Sequence, residues 1–188
     1  MKPWEANIRK VVPYTPGEQP NESGMIKLNT NENPYSPAPG VEKALKALDT
    51  DTLRLYPDPT AGDLVHSIAA FYGLKDEQVF TGVGSDDVLA MCFLTFFNSE
   101  KPIFFPDITY SFYDVWAELF RIPYVQIPLQ KDFRICIEDY KRENGGIVIP
   151  NPNAPTGIAE SLDAIEEILK TNPDSVVIID EAYVDFGT

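Results

Sequence analysis

From residue 41 onward, apolar and polar positions follow two alternating rhythms. Val41 to Leu48 and Ala61 to Tyr72 place apolar residues three and four apart, which predicts helices. Gln78-Val79-Phe80-Thr81 predicts a short strand, and Ser85 to Phe97, apolar on most sides, predicts a buried helix. The alternation continues with a strand over Pro102 to Phe105, a helix over Ser111 to Phe120 and a strand over Tyr124 to Pro128. Ile147 to Ile149 and Val176 to Ile179 predict two further strands, with a helix over Leu162 to Lys170 between them.

The strands are short, β-branched and apolar without alternation, as required when helices cover both faces of a mainly parallel sheet. The expected fold class is α/β, a three-layer α/β/α arrangement. Residues 1–40 differ in texture. Pro13, Pro16, Pro20, Pro34, Pro37 and Pro39 rule out long helices there, and the segment reads as an extended arm. The expected organisation is therefore an arm over 1–40 and a large α/β domain over 41–188.

Composition narrows the function classes. With 188 residues, 44% hydrophobic and 23% charged, the chain has the balance of a globular protein with a real core. Its formal net charge of −14 repels phosphate backbones, which argues against nucleic acid or an anionic membrane as partner. The N-terminal Met1-Lys2-Pro3-Trp4-Glu5 lacks the apolar core of a signal peptide, and the apolar run from Val88 to Phe97 is too short to span a bilayer. Cys92 and Cys136 stand in no motif and read as small buried residues of a reduced, cytoplasmic protein. The single histidine, His66, matches no familiar zinc spacing with them and reads as a helix-surface or packing residue.

In parallel sheets ligands sit outside the carboxyl ends of the strands, and the polar motifs of this chain follow its strands. Thr81-Gly82-Val83-Gly84-Ser85-Asp86-Asp87 places glycines ahead of a helix start. Free N–H groups and the positive end of the helix dipole suit a phosphate there; the alternative is a glycine turn with Ser85 as N-cap. It is neither a Walker loop nor a complete dinucleotide fingerprint, since Asp87 stands where the third glycine belongs. Val177-Ile178-Ile179-Asp180-Glu181-Ala182-Tyr183 sets an acid directly after a buried strand, where desolvation is costly without a partner. A protonated ring nitrogen is such a partner, and pyridoxal phosphate needs one carboxylate there to remain an electron sink. A capping or metal-binding role is the alternative. Asn151-Pro152-Asn153-Ala154-Pro155-Thr156-Gly157 forms a rigid loop, and Tyr110-Ser111-Phe112-Tyr113 offers either a ring to stack on a planar cofactor or plain core packing.

Together these motifs resemble the fold type I, class I/II pyridoxal-phosphate aminotransferases, in order and in spacing, over essentially the whole chain. Three N-terminal segments add Val12-Pro13-Tyr14-Thr15-Pro16-Gly17-Glu18 and Leu28-Asn29-Thr30-Asn31-Glu32-Asn33-Pro34 in the arm, and Leu55-Tyr56-Pro57-Asp58-Pro59 after it. These segments are similar to the histidinol-phosphate aminotransferase branch. The resemblance implies a homodimeric enzyme of histidine biosynthesis, moving an amino group between histidinol phosphate and 2-oxoglutarate. It further implies that Gly84, Ser85 and Asp86 bind the cofactor phosphate, that Tyr110 stacks on the pyridine ring and that Asp180 pairs with the ring nitrogen. Tyr183 is implied to hydrogen-bond the phenolic oxygen, and Tyr56 to reach the cofactor phosphate of the neighbouring subunit. Tyr14 and Asn31 are implied to hold the substrate.

Two departures from the family pattern stand out. Ala154 occupies the position of the usual asparagine before Pro-Thr-Gly, which leaves Asn153, Asn151 or Tyr183 to serve the phenolic oxygen. The chain also ends at Gly187-Thr188, ahead of the family's cofactor-carrying lysine, so the 188 residues alone are expected to be inactive. The rival readings are another class I/II enzyme, such as an aromatic aminotransferase or threonine-phosphate decarboxylase, and a non-catalytic fragment that binds a phosphate ligand or a partner chain.

Overall fold

The computed structural model describes residues 2–15, 17–18 and 24–186; Met1, Pro16, Pro20, Gly187 and Thr188, named above, lie outside the described residues. Five helices and four strands follow in chain order: α1 (Pro39–Lys46), α2 (Gly62–Tyr72), α3 (Ser85–Phe96), β1 (Ile103–Pro106), α4 (Tyr113–Phe120), β2 (Tyr124–Ile127), β3 (Gly146–Pro150), α5 (Leu162–Thr171) and β4 (Val177–Asp180). The chain separates into two compact units, residues 1–14 with 82–188, and residues 15–81. The change of texture at residue 40 is thus not where the compact units divide, and the first fourteen residues of the arm group with the sheet.

In the larger unit the strands run parallel in the order β2-β1-β3-β4. Every residue of β1 and β3 is buried, as their continuous apolar runs require of central strands. Alternate side chains feed two cores. Ile103, Phe105 and Val148 join Leu89 and Phe93 of α3 and Trp116 and Ala117 of α4 on one face. Phe104, Ile147 and Ile149 join Ile165 and Ile168 of α5 on the other. Two cores on opposite faces of one sheet make the three-layer α/β fold expected above. The edge strands are less covered: β4 is half-buried throughout, and Val125 and Gln126 of β2 are exposed.

Local chemistry sets the helix ends. Ser161 caps α5, its hydroxyl accepting from the Ala164 N–H at 3.2 Å, and Ala164, Ile165 and Ile168 form the buried stripe. α4 starts at Tyr113 rather than Ser111, because Tyr110 to Phe112 belong to the turn after β1. It ends on Arg121 in the left-handed region, which returns the chain to β2.

The strand expected over Gln78 to Thr81 is absent. A 3-10 turn over Asp76–Gln78 leads into an unpaired extended stretch in which Phe80 is exposed. A β-propensity run becomes a strand only where a ladder partner exists, and no described residue supplies one here.

The unit over 15–81 carries α1, on which no residue is buried, and α2, on which Ala69 alone is buried. Asp58 organises the turn into α2: its carboxylate accepts from the Thr60 N–H at 2.9 Å, the Thr60 hydroxyl at 2.7 Å and the Gly62 N–H at 2.7 Å. The Thr60 amide first, then the Gly62 amide, hold its pKa below the usual carboxylate range. His66 lies on the exposed face of α2, with Nδ1 3.3 Å from Asp76, the surface one of the two positions expected of it. Cys92 and Cys136 are free thiols, half-buried rather than fully buried as expected. Among the described residues no helix is long and apolar enough to cross a membrane.

Candidate active site

Apart from Thr81, the four polar motifs lie in the larger unit, and each of them contributes to one pocket at the carboxyl ends of β3 and β4. Its lining is Ser85, Tyr110, Pro150, Pro152, Ala154, Asp180, Ala182 and Tyr183. Asp180 arrives there as the last residue of β4, paired in register with Pro150 of β3, and its carbonyl accepts from the Asn151 N–H at 2.8 Å. The backbone at the pocket floor is therefore fixed by the sheet ladder.

The Asp180 carboxylate has two anchors. The Ala182 N–H donates to Oδ1 at 3.1 Å, and the Tyr113 hydroxyl donates to Oδ2 at 2.6 Å. Tyr110 covers the same pocket and donates its hydroxyl to Asp86 at 2.7 Å. Burial, reinforced by the hydrogen bond to Asp86, pushes the Tyr110 phenol well above the usual tyrosine range. It remains a neutral donor.

The phosphate-type motif takes the form its residues imply. Gly84 is the N-cap of α3, at φ 88°, a conformation that L side chains rarely adopt. Ser85 is the first helical residue, which removes the alternative in which it serves as the N-cap. No side chain caps this end, so the first-turn N–H groups of Ser85 and Asp86 have no intrahelical acceptor, and Ser85 lines the pocket. Asp87 turns back instead, accepting from the Val83 N–H at 3.0 Å.

The loop after β3 is held by its asparagines. Asn151 clamps Glu160 in both directions, accepting from its N–H at 2.7 Å and donating to its carbonyl at 3.3 Å. Asn153 donates to the Ile108 carbonyl at 2.9 Å and accepts from the Thr109 hydroxyl at 2.9 Å. Both ends of the Asn153 amide thus serve the loop that carries Tyr110, and the residue itself stands behind the lining. Ala154, the departure from the family pattern, lines the pocket directly.

Of the residues singled out from sequence, Ser85, Tyr110, Asp180 and Tyr183 share the pocket, with Gly84 and Asp86 adjoining on the start of α3. Tyr14 lies in the same unit, its ring tilted 31° against that of Phe112 with centroids 4.6 Å apart. Asn31, at φ 53°, and Tyr56, fully exposed, belong to the other unit. Sequence reasoning missed the polar roles of Tyr113 and Thr109. The available signal for Tyr113 was its spacing, three residues after Tyr110 at a helix start.

A family model for aminotransferase class I and II matches residues 23–188. The chain belongs to this family. It is 56% identical over 184 residues to histidinol-phosphate aminotransferase of Lactococcus lactis subsp. cremoris (strain MG1363), covering 98% of this chain and 52% of that protein. It is 55% identical over 190 residues to histidinol-phosphate aminotransferase of Acinetobacter baylyi, covering 100% and 53%. The chain spans about half the length of the curated relatives it matches. Among solved structures, histidinol-phosphate aminotransferase of Sinorhizobium meliloti in complex with pyridoxal-5'-phosphate superposes with a TM-score of 0.77 at 23% identity, over 85% of this chain and 44% of that one. L-threonine-O-3-phosphate decarboxylase of Porphyromonas gingivalis superposes with a TM-score of 0.66 at 19% identity, over 79% and 46%. At such identities the likeness shows the shared fold. No lysine is among the described residues that line the pocket.

Proposed function

We propose that these residues form the phosphate-binding and ring-binding part of a pyridoxal-phosphate site in a cytoplasmic, homodimeric aminotransferase that moves an amino group between histidinol phosphate and 2-oxoglutarate. The observation that carries the reading is the meeting of Ser85, Tyr110, Asp180 and Tyr183 in one pocket, in a class I/II aminotransferase chain. The identity of 52–56% to histidinol-phosphate aminotransferases supports the substrate.

The donor set fits the cofactor. The free N–H groups at the start of α3, with the hydroxyl of Ser85, suit its phosphate dianion. A carboxylate with two anchors suits its protonated ring nitrogen, and the Tyr110 ring offers a flat apolar cover. When bound, the cofactor supplies an electron sink for charge developing on the substrate carbon. Asp180 keeps the proton on the ring nitrogen, and Tyr183 serves the phenolic oxygen. Asn153 acts through the Tyr110 loop. Tyr14 and Asn31 contribute to holding the substrate.

The assay compares kcat/KM for histidinol phosphate with that for phenylalanine as amino donor, alongside decarboxylation of threonine phosphate. The reading requires histidinol phosphate to lead by at least about a hundredfold, the discrimination expected when a buried polar site is matched to its ligand. A lead by either rival would overturn it.

Tyr56 supports the dimer, since its ring is wholly exposed, and Ile26, Leu28 and Tyr35 are each more than four-fifths exposed. A tyrosine hydroxyl donates to phosphate while its ring packs at an interface. Tyr56→Phe and Asp180→Ala each impair an unmixed dimer. A hybrid of the two regains one intact site, and close to half of wild-type activity, if Tyr56 acts across the interface. Verified hybrids with no recovery would contradict the sharing.

A further inference from the structure

Tyr113 is wholly buried, with its ring 5.7 Å from those of Phe105 and Tyr110 and 6.1 Å from that of Phe93. Its ring packs in the aromatic core, and its hydroxyl meets Asp180 Oδ2 at 2.6 Å. A phenylalanine would fill the same volume without the cost of burying a hydroxyl, so packing alone does not account for a tyrosine. The carboxylate it meets lines the pocket and turns about its side-chain torsions unless held. The Ala182 N–H holds one oxygen from the chain just beyond β4, and Tyr113 holds the other from beneath.

We propose that Tyr113 is a positioning residue that fixes the orientation of the Asp180 carboxylate, so that the aromatic core between α3 and α4 sets where the charge in the pocket points. The proposal rests on the reading of Asp180 as the partner of the cofactor's ring nitrogen. Tyr110 and Tyr113 lie three residues apart where α4 begins, so one turn both covers the pocket and aims its acid. Burial first, then the charge of Asp180 and the hydrogen bond to it, push the Tyr113 phenol far above the usual tyrosine range. It stays a donor under all working conditions. Each Asp180 oxygen keeps a further lone-pair direction after these two bonds, which leaves the carboxylate able to accept from a ring N–H.

The test reconstitutes the cofactor-free form of the complete enzyme with pyridoxal phosphate labelled with 15N in the ring and records the ring-nitrogen resonance with kcat and KM. Four proteins are compared with wild type: Tyr113→Phe, Asp180→Ala, the double variant, and Phe105→Leu as a packing control. Tyr113→Phe is expected to move the resonance part of the way toward its Asp180→Ala position. It should lower kcat on the order of tenfold, the scale of one lost hydrogen bond to a charged group, with KM little changed. In the Asp180→Ala background it should change neither. Phe105→Leu should lower the unfolding midpoint of the cofactor-free protein and leave the resonance in place. A wild-type resonance in Tyr113→Phe, or the same loss of kcat in both backgrounds, overturns the positioning role alone. A wild-type resonance in Asp180→Ala overturns the ring-nitrogen reading itself, and the positioning role with it.

Discussion

In the complete enzyme, Asp180→Ala is expected to lower kcat by a hundredfold or more while weakening cofactor affinity far less. The carboxylate acts on charge that develops in the ring during the reaction, so its removal falls mainly on the transition state. Loss of a preorganised electrostatic contact in a water-poor site costs about 3 kcal/mol or more. Asp180 is preorganised in this sense, with both oxygens anchored and its backbone in the sheet ladder. The alternative role left open by sequence, a carboxylate that merely caps the next turn, also has a basis in the Ala182 N–H bond. The two predict different losses. A cap contributes about 1 kcal/mol to stability and nothing specific to the chemistry. If kcat stays within about tenfold of wild type, a change of only about 1.4 kcal/mol, the ring-nitrogen role is wrong.

The second large effect falls on the fold. Gly146 opens β3 at φ 149°, and a Cβ built on it stands 2.2 Å from Cε1 and 2.6 Å from Cδ1 of Phe97. The Phe97 ring is buried and packs edge-on against Phe93 at 5.2 Å, which leaves it no direction in which to yield. Gly146→Ala therefore combines overpacking of the α3 side of the sheet with a backbone conformation that L residues rarely adopt. We expect a loss of about 3 kcal/mol or more, read as a fall in denaturant midpoint. Gly40→Ala on α1, where a Cβ meets nothing within 4 Å, is the control and should shift stability by less than about 1 kcal/mol. A Gly146→Ala protein as stable as wild type would show that Phe97 does not cross β3 as described.

Much of the fold was legible in the sequence alone. Unbroken apolar runs such as Ile147 to Ile149 belong to strands covered on both faces, and that property alone led to the parallel, three-layer fold. The site followed because ligands of such sheets lie where the strands end, and Asp180 and the loop from Asn151 directly follow strands. The failures share one cause. Each turned on a partner remote in sequence. Gln78 to Thr81 have the composition of a strand and lack a ladder to join. Asn153 looked free to meet a ligand until its amide was found on Ile108 and Thr109, 45 and 44 residues away. Tyr113 looked like core, and its ring is core; only its hydroxyl, 67 residues from Asp180 in sequence, is not.

The central claim is that this pocket receives pyridoxal phosphate with the ring nitrogen toward Asp180. A crystal structure of the protein with the cofactor bound tests it most directly. The account predicts the phosphate at the N–H groups that open α3, the Tyr110 ring over the pyridine, and the ring nitrogen within hydrogen-bond reach of Asp180, about 3 Å. A cofactor bound elsewhere, or one seated here with its ring nitrogen turned away from Asp180, would contradict it.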